Sequence, residues 1–179
     1  MAEKEKVIRG LKTAFNTEIT GYMFYTYAAE TVGDEKGRNL FFHLAKEELD
    51  HIRVISRIAE SVEEGHGWVG YEEALKEVAA GAGGLPIFPR ENEFTKRLKQ
   101  NPTDSNAVAI GIESEEASVE FYSNMLKDAE GPQEKVVLTK LLEMEKAHLK
   151  ILRWEGESLQ KTGFWCGDME YSVEKESDG

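Results

Sequence analysis

The sequence predicts an all-α fold, a four-helix bundle with one long crossover between the second and third helices. Three observations predict it. Apolar residues recur at threes and fours through two pairs of long segments, a glycine-rich stretch of roughly forty residues separates the pairs, and the second pair repeats part of the first at an offset of 97 residues.

Taken in order, the first helix is predicted over about 3–31, where Val7, Ile8, Leu11, Phe15, Ile19, Tyr22 and Phe24 fall on helical spacing. Gly33-Asp34 ends it, and Asp34 is a suitable cap for a second helix that carries Leu40, Phe41, Leu44, Leu49, Ile52, Ile55 and Ile58 to about Val62. A tight connection between two long helices makes a hairpin. Residues 63–103 then change character, with Gly65, Gly67, Gly70, Gly81, Gly83, Gly84, Pro86 and Pro89 breaking any long helix. Short helices are predicted inside this crossover over 71–80 and 91–99. The third helix starts at Asp104 or Ser105 and runs through Val108, Ile110, Ile112, Val119, Phe121 and Met125 toward Ala129. Pro132, at a first helical position, opens the fourth, which carries Val136, Val137, Leu141, Leu149, Leu152 and Leu159 to about Lys161. The organisation expected is one bundle over 1–162, with hairpins at about 3–62 and 104–161, and an irregular tail over 163–179.

Composition excludes several classes. A formal net charge of −12 and a pI near 4.9 argue against a nucleic-acid partner and favour the gathering of cations. Cys166 stands alone, so neither an intrachain disulfide nor a cysteine-only cluster is expected, and a reducing cytoplasm suits the chain. No run approaches about 18 apolar residues, and no export signal is evident at Met1-Ala2-Glu3-Lys4-Glu5-Lys6, so neither membrane spanning nor secretion is expected.

The chemistry lies in the repeat. At the offset of 97 residues, Glu18 matches Glu115, Phe24 matches Phe121, Tyr25 matches Tyr122, Leu44 matches Leu141, Glu48 matches Glu145 and His51 matches His148. Chance identity between amphipathic hairpins would fall on core Leu and Ala or on surface Glu and Lys; here it selects Glu, aromatic, Glu and His. Glu48 and His51, and again Glu145 and His148, lie three residues apart and so share one side of a helix. Carboxylates and imidazoles are ligands for iron or manganese, and a bundle core brings four helices to one point. Glu18, Glu48, His51, Glu115, Glu145 and His148 supply four carboxylates and two imidazoles, enough for two divalent ions bridged by Glu48 and Glu145. Tyr25 and Tyr122, each seven residues after its glutamate, lie on the same faces and are placed to donate to a ligand or to tune the site. Tyr22 shares that side, and Tyr27 does not.

With these residues in view, the chain resembles the ferritin-like di-iron carboxylate superfamily and, within it, the di-iron domain of rubrerythrins. Ala14-Phe15-Asn16-Thr17-Glu18 followed by Tyr25 looks like the rubrerythrin pattern of Ala-Phe, two residues, ligand Glu, then Tyr. The resemblance covers about Val7 to Leu159 without the crossover. It implies a homodimer with two iron ions per site, reduction of hydrogen peroxide to water, and electrons from a rubredoxin-like donor. Two departures stand out. Rubrerythrins carry a further third-helix glutamate three residues from the first, where this chain has Ser118 on one side and Ile112 on the other. Only a π-bulge would turn Glu113, Glu116 or Glu120 inward instead. The paired Cys-x-x-Cys of a rubredoxin domain is also missing, so electrons are expected from another protein or a small reductant. Two alternatives share the ligand set: an iron-handling ferroxidase or oxidase that reduces dioxygen, and a metal-binding bundle without catalysis.

The remaining polar and aromatic residues have plainer readings. Glu47, Asp50, Glu113, Glu116, Glu120 and Glu143 read as solvated faces, with Glu113 or Glu116 the exception to watch. His43 reads as surface or interhelical, His66 as a loop residue, and Phe24, Phe121, Trp154 and Trp165 as packing residues.

Overall fold

The computed structural model describes residues 2–79 and 91–166. Gly81, Gly83, Gly84, the Leu85–Pro89 segment, and Gly167 and Asp168 of the tail lie outside the described residues. Six helices follow one another: α1 (Ala2–Thr31), α2 (Glu35–Glu64), α3 (Tyr71–Ala79), α4 (Glu93–Gln100), α5 (Asp104–Asp128) and α6 (Pro132–Thr162). No strand occurs among the described residues.

Local chemistry sets the ends. Asp34 accepts from the Lys36 N–H at the start of α2, and Thr103 accepts from the Asn106 N–H at the start of α5. Asn92 and Thr95 cap α4 reciprocally. Gly65 and Gly163 end α2 and α6 at φ 89° and 77°, a left-handed conformation that side chains other than glycine adopt at a cost.

Contacts between helix ends give the topology. Lys4 Nζ donates to Glu63 O at 2.8 Å and Lys6 pairs with Asp128 at 3.2 Å, so the start of α1 meets the ends of α2 and α5. At the opposite end of the bundle, Trp165 Nε1 donates to Asp104 Oδ2 at 2.8 Å, and the Trp165 ring packs on Phe41 with centroids 6.0 Å apart. The start of α5 therefore lies a bundle length from the end of α2, and the crossover must travel that length. Its two helices line the outside. α3 packs on α2, while α4 bridges α1 and α5, with Asn92 Nδ2 donating to Thr20 O at 2.9 Å and Arg97 gripping both oxygens of Glu113 at 2.8 Å.

The core comes in two parts. One apolar cluster, around Phe24, Tyr25, Phe41, Leu152 and Trp165, fills the end where α1 finishes. The other, around Leu11, Ile58, Val62, Tyr122 and Leu138, fills the end where α1 begins. Of the two tryptophans read as packing residues, Trp165 is buried, but Trp154 is 54% exposed, because it lies two residues from the buried Leu152 and so on the opposite side of α6.

Gly37 has no room for a side chain, since a Cβ there would lie 2.4 Å from the Trp165 ring. Gly37→Ala is expected to destabilise the fold by about 1–3 kcal/mol through overpacking, read by chemical denaturation.

Candidate metal centre

Between the two apolar clusters lies a polar layer. α1 supplies Glu18, α2 supplies Glu48 and His51, α5 supplies Glu115, and α6 supplies Glu145 and His148; none is more than 3% exposed. Two overlapping groups result, Glu18–Glu48–His51–Glu145 and Glu48–Glu115–Glu145–His148, each with candidate ligand atoms within 4.8 Å of one another. Glu48 and Glu145 belong to both, which is the geometry a bridging carboxylate needs.

Both imidazoles turn Nδ1 toward the carboxylates. His51 Nδ1 lies 3.1 Å from Glu18 Oε2, 3.1 Å from Glu145 Oε1 and 3.6 Å from Glu48 Oε2. His148 Nδ1 lies 3.7 Å from Glu48 Oε1 and 3.8 Å from Glu115 Oε2. The two rings stack at 5.8 Å with 19° between their planes. Helix α1 passes close over the layer, since a Cβ on Gly21 would lie 3.1 Å from the Glu48 carboxyl.

The tyrosines tie the hairpins crosswise. Tyr25 on α1 donates to Glu115 on α5, and Tyr122 on α5 donates to Glu18 on α1. Burial, with these carboxylates alongside, pushes both phenols well above their ordinary range, so they remain donors.

Electrostatics follow from burial and crowding. Burial, then the neighbouring Glu18 carboxylate, pushes Glu48 up to about 8. Burial and the surrounding glutamates also hold Glu145 well above the usual carboxylate range. Burial works against an imidazolium at His51 and His148, but the adjoining carboxylates outweigh it and raise both well above the ordinary histidine range.

Both oxygens of Glu145, Glu115 Oε2 and His148 Nδ1 are buried without a hydrogen-bond partner, the Glu145–His51 approach being close but misaligned for one. Buried polar atoms are rarely left so. Four carboxylates facing two imidazoles fit two divalent cations in charge and in donor type, and the unsatisfied atoms belong to the two candidate groups.

A family model described as Rubrerythrin matches residues 10–155. The chain belongs to the rubrerythrin family. No curated protein and no solved structure gives a match.

As a rubrerythrin-family site, this one has no fifth carboxylate in the cluster among the described residues. Glu113 and Glu116 face outward, paired with Arg97 and Arg153, Glu120 is exposed, and α5 runs without a π-bulge. Ser118, three residues after Glu115, is buried, and Ile112, three before it, is partly buried. Glu47 corrects the expectation of a solvated face. It is half-buried, its Oε2 lies 2.7 Å from His148 Nε2, and His43 Nε2 approaches the same oxygen at 3.5 Å. Burial would raise the Glu47 carboxyl, but the hydrogen bond from His148 and the nearby imidazoles bring it below its ordinary value. Sequence offered one signal for it, because Glu47 and His43 lie four residues apart on one face of α2.

Raised groups hold protons at neutral pH in the metal-free protein, and those protons must leave before Glu48, Glu145 and the histidines can bind a cation. Loading is therefore expected to release at least one proton per chain and to weaken as pH falls below about 8. Calorimetry in buffers of different ionisation enthalpy measures the protons released.

Proposed function

We propose that the chain is a non-haem di-iron oxidoreductase that reduces hydrogen peroxide to water with electrons from an external donor, a rubredoxin-like protein or a small reductant. The observation that carries the reading is the pair of overlapping Glu/His groups in a chain of the rubrerythrin family. The balance is H2O2 + 2 e− + 2 H+ → 2 H2O, in which the O–O bond breaks and each oxygen leaves as water.

In this reading Glu18 and His51 complete one metal position, Glu115 and His148 complete the other, and Glu48 and Glu145 serve both. Iron held by these residues would supply both electrons, one from each ferrous ion; manganese accepts the same ligands. Tyr122 and Tyr25 hold Glu18 and Glu115 in orientation through their hydroxyls, and the apolar clusters on either side keep bulk water from the layer. A lone cysteine and an acidic surface suit a cytoplasmic protein, and a homodimer is part of the same reading. Among the described residues no helix is long and apolar enough to cross a membrane.

Anaerobic stopped-flow oxidation of the ferrous protein, mixed separately with hydrogen peroxide and with dioxygen, tests the reaction. Faster oxidation by peroxide is expected. Faster oxidation by dioxygen would replace this reading with an iron-handling oxidase, and inertness to both would leave a metal-binding bundle. Glu48→Ala and Glu145→Ala are each expected to lower the metal content below two ions per chain, measured by elemental analysis after desalting.

A further inference from the structure

The internal repeat fails at the position behind each imidazole. His148 Nε2, on the side of the ring away from the carboxylate layer, lies 2.7 Å from Glu47 Oε2. His51 Nε2 is equally buried and has no hydrogen-bond partner among the described residues. The offset of 97 residues that relates the two histidines relates Glu47 to Met144, a partly buried apolar residue. It also relates His43, which approaches Glu47, to Lys140. Lys140 is turned instead to Glu72 and lies over the Tyr71 ring at 4.8 Å, and that ring meets His51 in a T-shaped contact at 6.3 Å. One imidazole is thus backed by a carboxylate, while the other meets a phenol ring and has no carboxylate at the corresponding position of the repeat.

The difference bears on cation binding. A neutral imidazole that donates its Nε2–H to a carboxylate keeps its lone pair on Nδ1, the atom that faces the cluster, and keeps its ring orientation before a metal arrives. His148 Nε2 faces such an acceptor, so loss of the Nδ1 proton leaves its ring in the tautomer and orientation that a cation needs. His51 has no acceptor to select the tautomer, and coordination through Nδ1 leaves a buried N–H unpaired.

We propose that the two metal positions are inequivalent and that Glu47 is the positioning residue that makes them so. The position completed by Glu115 and His148 binds a divalent cation more tightly and fills first; the position completed by Glu18 and His51 fills second. This rests on the di-metal reading of the site but not on iron, peroxide or turnover.

The test is titration of the metal-stripped full-length chain with Co2+, followed by calorimetry and by the visible absorption of the bound ion. Two steps about 10–100-fold apart in affinity are expected. At the first equivalent, Glu115→Gln should weaken binding and Glu18→Gln should leave it nearly unchanged. Glu47→Ala should weaken the first step by about 10–100-fold and spare the second. Glu47→Gln, which keeps an acceptor oxygen, should recover part of the loss. A merely structural role for Glu47 would weaken both steps together and lower the melting temperature of the metal-free chain, and that result overturns the proposal. Two Co2+ ions bound in one step of equal affinity also overturns it while leaving the di-metal reading intact. Failure to bind two Co2+ ions overturns both.

Discussion

Six ionisable side chains buried in one layer set the terms for the whole structure. Isolated carboxylates do not survive in an apolar interior, and four of them within a few ångströms would repel one another as well. Protons and imidazoles offset part of that charge, with Glu48, Glu145, His51 and His148 all raised by burial or by the neighbouring carboxylates. Phenolic donors reach one oxygen each of Glu18 and Glu115, and the atoms left over on Glu115, Glu145 and His148 are the ones a cation would take. Packing is subordinated to the same end: Gly21 lets α1 come against Glu48, and the apolar core is divided so that each half closes one side of the layer.

Neither hairpin is complete by itself. The first brings Glu18, Glu48 and His51, the second Glu115, Glu145 and His148, and each candidate group draws on both hairpins. The crosswise Tyr25–Glu115 and Tyr122–Glu18 bonds add a reciprocal dependence, since each hairpin orients a carboxylate of the other. Docking of the hairpins and assembly of the site are therefore one event, which is the usual condition under which metal affinity and folding become linked.

What could be read from the sequence follows from this division of labour. The long helices were legible because burial of one face imposes a period, and the six clustered residues because the repeat preserves them against a divergent background. Glu47 was hidden for the opposite reason: its counterpart is Met144, so a comparison of the two halves discards it. Trp165 was read as packing, but its return over Gly37 belongs to an irregular segment beyond α6, where no period announces which end of the bundle is covered. Trp154 was legible and misread, its spacing from Leu152 placing it on the wet side of α6.

Helix α4 gives the crossover a purpose beyond connection. Two of its holds on the bundle, Asn92 on Thr20 and Arg97 on Glu113, each fall two residues from a clustered glutamate, Glu18 on α1 and Glu115 on α5. A segment that topology requires to run along the bundle thus acts as an external brace across the two helices that carry Glu18 and Glu115. The spacing of α1 and α5 is thereby held from outside the layer as well as from within it. The ordering of that gap thus rests partly on residues that lie outside the layer.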